Sequence, residues 1–366
     1  MKKALIVLLL LAVAGGLFAQ VSFSGHVQSG LEVVIPNDGD TTLHWFSRDA
    51  GIPFRYQLSA SYTHDSGKAG ASATIRNNNN AIGFDGANAW AQPLDILRIQ
   101  FGTGGIGGFN TNVFDVGNNA AGGNFSAVLT PVLDGMTFSV GLGVAPANTT
   151  FDKTAYGFGV KFGLPDLLNA VVNLGYNGAA KDGDGQTNVA AGVAVSALNA
   201  ASGASGLTYL GIDVRADDIT DLAWLGIGPD VQFRVANLTE AGNLSIGLRS
   251  KIFLPMGDSA EDLDYWVRLN LGLPLTPTVD FALSAGYEGK STIPGQNADN
   301  GTLAVSDAGG LNQSISGGTD PAFIVRPAVT FKYGPGSLEL AWSLQALLAS
   351  ESVIQNAISA YYRVGF

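Results

Sequence analysis

The chain has 366 residues, only 13% of them charged and 49 of them glycine, with a mean hydropathy of +0.22. Soluble domains carry near 25% charged residues, so this surface is not built mainly for water, yet beyond the N-terminal segment no run of about 18 apolar residues could cross a bilayer as a helix. The absence of cysteine excludes disulfides, thiolate metal sites and a lipid-anchored N-terminal cysteine, and a net charge of −11 argues against nucleic acid or any other polyanion as a general partner.

Residues 1–19 read as a secretory signal peptide. Lys2 and Lys3 form a basic start, Ala4–Val13 an apolar stretch, and Gly15–Gly16 a break before Ala19–Gln20. The mature region, 20–366, is dominated by period two, the spacing at which successive side chains point to opposite faces of a strand. In the first run Val21, Phe23, Val27, Leu31, Val33 and Ile35 share one parity, and Ser22, Ser24, His26, Gln28 and Glu32 share the other. The next is cleaner: Phe54, Tyr56, Leu58, Ala60 and Tyr62 alternate with Arg55, Gln57, Ser59, Ser61 and Thr63. Strands are read at 21–35, 53–64, 68–77, 85–92, 95–103, 123–130, 136–145, 154–163, 169–177, 187–197, 207–216, 223–236, 244–253, 264–273, 279–287, 322–333, 338–347 and 353–366. The pattern is weakest over 198–243.

Short connections are expected at Asp65–Lys68, Pro93–Asp95, Pro131–Gly135, Leu164–Leu168, Pro274–Thr278 and Gly334–Ser337. Longer Gly/Asn/Asp-rich ones are expected at 36–52, 77–84, 103–122, 178–186 and 288–321. Segments of about ten alternating residues, with short turns at one end and long loops at the other, are the signature of a transmembrane β-barrel. Only helices and closed barrels satisfy every backbone hydrogen bond in lipid. The expected fold is therefore all-β, a transmembrane antiparallel barrel of about 16–18 strands in a bacterial outer membrane, with both chain ends in the periplasm.

A barrel demands that strand charges fall on the lumen parity, because a cation facing mid-bilayer lipid costs roughly 2–4 kcal/mol. Arg55, Arg98, Lys161, Arg215, Arg234, Arg249, Lys251, Arg268, Arg326, Lys332 and Arg363 all lie opposite the apolar set of their own strand. Glu32, Asp213, Asp230, Asp280 and Glu339 do the same. These residues are the expected pore lining. A soluble sandwich also alternates, with one wet face, but seldom lines up aromatics at both ends of its outward face. Here Tyr62, Phe162, Tyr333, Tyr362 and Phe366 fall on the lipid parity at one end, and Phe54, Tyr156, Tyr176 and Tyr287 at the other.

The last strand alternates to the final residue, Ile358-Ser-Ala360-Tyr-Tyr362-Arg-Val364-Gly-Phe366. This resembles the C-terminal assembly signal of Gram-negative outer-membrane proteins, carried here by Tyr362, Val364 and Phe366. The resemblance implies recognition by the barrel-assembly machinery. Ala87-Asn-Ala-Trp90-Ala-Gln-Pro93-Leu-Asp95-Ile-Leu-Arg98 resembles the strand–turn–strand of spirochaetal, treponema-type porin-like barrels. The resemblance implies a β-barrel channel and transfers neither a substrate nor a catalytic residue.

Other chemistry is scarce. Gly102-Thr-Gly104-Gly-Ile-Gly107 matches G-x-G-x-x-G but opens a loop rather than a helix, so it is no dinucleotide site. Of the three histidines, only His44, with Asp49 nearby, fits the Asp/His pairs that proteolytic barrels place at their outer rim. Asn37-Asp38-Gly-Asp40 and Asp182-Gly-Asp184-Gly lack a complete calcium loop. No enzyme activity, metal or cofactor is expected. The function these residues point to is a passive, porin-like channel for small hydrophilic solutes or ions. Its inward Arg and Lys would set a weak anion preference, and loop 103–122, with Asp115 as its only charge, would form the constriction; loop 288–321 is the alternative plug. The runner-up is a surface adhesin or structural barrel acting through its long loops. Partners are then outer-membrane lipid, the assembly machinery and small solutes, and a homotrimer is one arrangement open to such a barrel.

Overall fold

Alternation of bulky apolar with small or polar residues commits most of the described residues to strands. The computed structural model describes residues 20–46, 54–78, 81–103, 109, 111, 113–114, 125–145, 154–165, 167–177, 186–196, 204–216, 218–222, 224–256, 263–289, 321–348 and 353–366. Segment 1–19, Asp49, Asp115, Asp182–Gly185 and 291–320 lie outside them, and with them the expectations for a signal peptide, a charged constriction tip and a second plug.

The strands, in chain order, begin with β1 (Gln20–Pro36), β2 (Thr42–Phe46), β3 (Phe54–Thr63), β4 (Ala69–Asn78), β5 (Ala81–Leu94), β6 (Leu97–Gly102) and β7 (Phe125–Leu129). There follow β8 (Val132–Leu133), β9 (Met136–Ala145), β10 (Ala155–Leu164), β11 (Leu168–Asn177), β12 (Gln186–Ser196), β13 (Gly206–Ala216) and β14 (Trp224–Thr239). The last are β15 (Gly242–Pro255), β16 (Asp264–Thr276), β17 (Val279–Glu288), β18 (Ala322–Tyr333), β19 (Gly336–Leu347) and β20 (Val353–Gly365). Every pairing is antiparallel, and apart from two split positions each strand pairs with the next. No helix among the described residues is long and apolar enough to cross a membrane.

Two strand positions are each split in two. β1 pairs with β3 over its first half and with β2 from Gly30 to Val34, so β2 and β3 occupy one position interrupted by residues 47–53. β7 and β8 likewise run along β9, interrupted at Thr130 and Pro131, where proline has no N–H for the ladder. The barrel therefore has 18 strand positions. It closes where β1 meets β20, from His26 opposite Gly365 to Pro36 opposite Gln355. Beyond that, the Phe366 N–H donates to the Gly25 carbonyl at 3.0 Å and the Gly25 N–H donates back at 2.9 Å.

Several expected loops are corrected. Thr42–Phe46, inside the expected loop 36–52, is a strand. The expected loop 77–84 shrinks to a tight connection, with Asn78 paired to Ala81. Asn77 belongs to the sheet: its Oδ1 accepts the Tyr56 N–H at 2.8 Å and its Nδ2 donates to the Phe54 carbonyl at 2.5 Å, replacing ladder bonds where β3 begins. The weak stretch 198–243 contains two long strands, β13 and β14.

The two faces are chemically opposite. On β13 Leu210, Ile212 and Val214 are exposed on the outside, whereas Asp213 between them is 4% exposed. Stacked or tilted aromatic pairs mark both rims, Tyr333 on Tyr362 at 6.0 Å at one and Tyr156 on Tyr176 at 6.3 Å at the other. An apolar outer band between aromatic girdles, on a closed sheet, makes this an integral outer-membrane barrel. Neighbouring residues of β15 offer a test. Leu248 is exposed to lipid, while a side chain added at Gly247 on the inner face would meet open space. Leu248→Arg is expected to lower unfolding stability in lipid vesicles by about 2–4 kcal/mol, and Gly247→Arg to leave the urea midpoint nearly unchanged.

Candidate functional site: the barrel lumen

Inside the barrel the wall carries charge, and much of it is matched. Arg249 reaches Asp230 through Nε at 3.2 Å and Nη2 at 2.8 Å. Arg326 pairs with Glu339 at 2.5 Å and Lys332 with Asp280 at 2.5 Å. Arg234 donates to the Ala204 carbonyl at 3.2 Å. Other cations sit on aromatic faces: Arg98 lies 4.4 Å from the Trp90 ring centre, and Arg215 lies 5.9 Å from that of Trp224. Lys251 lies 5.6 Å from the ring of Phe114 and 5.7 Å from that of Trp266. Arg55 is buried opposite Gln28, with Arg363 on the far side of the same Gln28. Lys161 stands opposite Ser139 and Val171, and Arg268 opposite Arg249. Among the acids, Glu32 is fully buried.

The sequence reading omitted one inner-wall ion pair, Arg76 with Asp85 at 2.5 Å. Its signal was present: Arg76 follows Gly70, Ser72 and Thr74 on the parity opposite Ala69, Ala71, Ala73 and Ile75. The Asn run after it made the region look like a loop.

Four described residues of the connection from β6 to β7, Phe109, Thr111, Val113 and Phe114, lie on the inner wall. The Phe109 carbonyl accepts from Asn173 Nδ2 at 3.3 Å, and its ring covers Gly141. Thr111 passes beside Gly192. The Val113 N–H donates to the Asp213 carboxylate at 2.5 Å. Phe114 ends the run, edge-on to Phe253 at 5.9 Å, which in turn packs on Trp224 at 5.0 Å. Val113, Phe114, Trp224 and Phe253 form a buried apolar cluster inside the barrel.

This close approach depends on glycine. A Cβ built at Gly228 would stand 2.6 Å from a Val113 methyl, and one at Gly226 would stand 2.8 Å from the Phe114 ring. The wall from β9 to β14 thus offers a track of small residues, and the described residues lie along it from Phe109 at β9 to Phe114 at β15, about a third of the way round the barrel. Four residues of the expected constriction loop, Phe109, Thr111, Val113 and Phe114, lie in this place, while its expected charge, Asp115, lies outside the described residues.

The remaining motifs do little. His44 bonds Thr42 Oγ1 at 2.8 Å along β2, and His64 bonds Ser66 Oγ at 2.9 Å in the turn after β3. Asn37 ties to Ile354 through backbone and side chain. Among the described residues no group of three or more His, Asp or Glu could hold a metal ion.

Neither a protein-family model nor a curated protein matches the chain. Solved structures do resemble it. Acinetobacter baumannii OccAB4 aligns with a TM-score of 0.54 at 10% identity, over 96% of this chain and 99% of that one. Pseudomonas aeruginosa OpdL aligns with 0.54 at 10%, over 95% and 99%. Pseudomonas aeruginosa OpdO aligns with 0.53 at 10%, over 95% and 98%. At such identity the likeness is one of fold: the chain shares a porin-type barrel along nearly its whole length.

Proposed function

We propose that this chain is a passive, porin-like channel for small hydrophilic solutes and ions across the outer membrane, with a weak anion preference and no catalytic step or cofactor. The observation that carries the reading is the inward-docked segment 109–114. It narrows a barrel whose 18 positions would otherwise enclose a wide aqueous space, and it does so beside a wall of cations. Size selection belongs to the segment. Charge preference belongs to Arg55, Arg98, Lys161, Arg215, Arg234, Arg249, Lys251, Arg268, Arg326, Lys332 and Arg363 as pore-lining residues, reduced where a carboxylate pairs with them.

The same proposal includes export through a cleaved segment 1–19, and assembly of 20–366 by machinery reading Tyr362, Val364 and Phe366. Closure at Gly25 and Phe366 supports the second point, because the terminal residue completes the seam. Kinship with spirochaetal porin-like barrels is supported by Ala87–Arg98, which folds as the strand–turn–strand that the resemblance implies. A homotrimer is also proposed. It is supported by the outward rows Ala69–Ala91, Ala71–Ala89 and Ala73–Ala87, where a second barrel can approach closely.

The test is single-channel conductance of refolded protein in a planar bilayer under a salt gradient. Stepwise conductance with a reversal toward the anion potential is expected. Lys251→Gln with Arg268→Gln should bring the anion-to-cation permeability ratio toward one. Cation-selective reversal would end the anion assignment but keep the channel, and silence from folded protein would end the channel reading in favour of a loop-borne role.

A further inference from the structure

At the end of the barrel where the connections are short, a recess of about 420 Å³ opens between the turn joining β5 to β6 and the split strand β7–β8. Pockets for small ligands run from roughly 300 Å³ upward. Its wall mixes one cation, Arg98, with an amide, Gln92, two hydroxyls, Thr130 and Thr137, and an apolar side of Val128 and Val132. Arg98 shares the inner parity with Val128, its register partner. Val132 pairs with inward-facing Thr137 and is 86% exposed, an apolar side chain left almost bare in an aqueous mouth.

Arg98 is held but not neutralised. Its guanidinium lies over the Trp90 ring, and Trp90 in turn lies against Gly70, where an added Cβ would stand 2.7 Å from the indole nitrogen. The stack fixes the planar cation at one angle and leaves its charge in place. Among the described residues no carboxylate pairs with it. Asp95 is the one carboxylate lining the recess, and it is taken: Lys68 Nζ donates to it at 2.8 Å and holds its carboxyl below the usual range, so it stays ionised and matched near neutral pH. Gln92 is turned to the Asp95 carbonyl at 2.6 Å, which stiffens the same turn.

We propose that this recess is a binding subsite for small amphiphilic monoanions, a carboxylate or sulfonate on a short apolar body, at the periplasmic mouth of the lumen. The acid group meets the stacked guanidinium of Arg98 in a charge-assisted contact, and the apolar body covers Val132 and Val128. A bare inorganic anion uses only the first contact and a neutral alcohol only the second, so each binds more weakly than the combination. The inference deepens the channel reading, on which it rests for the sense of passage. The subsite would hold anionic solutes close to the periplasmic exit.

The experiment is a fluorine NMR titration of the refolded full chain with 4,4,4-trifluorobutyrate, beside the neutral 4,4,4-trifluorobutanol. Line broadening is expected with the acid and not with the alcohol. Arg98→Gln should weaken the acid by about tenfold, Arg98→Lys by less, and Val132→Ser should erase the advantage of the acid over acetate. Heat-modified gel mobility verifies that each variant is folded. Broadening unchanged by Arg98→Gln, or shared by the alcohol, overturns the subsite. Binding that follows Lys251→Gln or Arg268→Gln instead overturns it as well. Because the titration needs no current, a silent protein that still binds through Arg98 would fail as a channel and keep the subsite.

Discussion

Gly228→Leu is expected to change the current more than any other single substitution. Leucine places its branched side chain where Val113 and Phe114 now lie, since even a Cβ would stand 2.6 Å from the Val113 methyl. One partner has to move. β14 is fixed by ladders to β13 and β15 on both sides, whereas the inward segment is fixed along its described length by the Asp213 and Asn173 contacts and by packing. The segment yields. It then loses the burial of Phe114, worth about 1.5–3 kcal/mol, and the Val113 bond to a carboxylate, worth about as much again. The expected record is a larger mean conductance with several current levels, and a higher size cut-off when polyethylene glycols of graded mass are used to fill the pore. Wild-type conductance and cut-off in this variant would mean that residues 109–114 are not the constriction.

The second large effect concerns Arg326 and Glu339, whose side chains are 5% and 14% exposed. Removing one member of a buried pair strands the other charge, at a cost of about 3–5 kcal/mol. Glu339→Ala is therefore expected to lower the urea midpoint sharply. The double variant Arg326→Met with Glu339→Leu should recover most of the loss, because apolar residues of similar volume carry no stranded charge. Equal midpoints for the single variant and the wild type would show that the pair is solvated by the lumen rather than buried in the wall.

How much of this was legible depended on whether a residue's neighbours lay along the chain or across it. β3 is read almost to the residue, because Phe54 to Thr63 alternate without a fault and both faces are strongly specified. β2 was not, since five residues between Asp40 and the next connection are too few to establish a period. Asn77 misled for a different reason. Polar side chains normally mark loops, but this one satisfies backbone groups of β3 and so belongs to the sheet. The inward segment was legible as a constriction candidate by its position in the chain, yet the means of holding it was not. Its signal is double: Phe109, Val113 and Phe114 are apolar residues stranded in a Gly/Asn-rich loop, and Gly141, Gly192, Gly226 and Gly228 leave room on the inner parity of distant strands. Neither half means much alone, and nothing in the sequence says which glycines receive which side chain.

The seat of that segment also orders events in time. Val113 finds its acceptor 100 residues further along the chain, on Asp213, and Phe114 finds its aromatic partners later still, on β14 and β15. A growing barrel that has reached only β12 can seat Phe109 and Thr111 but offers nothing to Val113 and Phe114, and contacts so distant in sequence are slow to form because a long loop must close first. Seating Val113 and Phe114 is thus among the later steps of assembly. With the proposed constriction at this segment, arrested intermediates would be wide and leaky, and the pore would acquire its sieve only after the wall that receives Phe114 has been threaded into place.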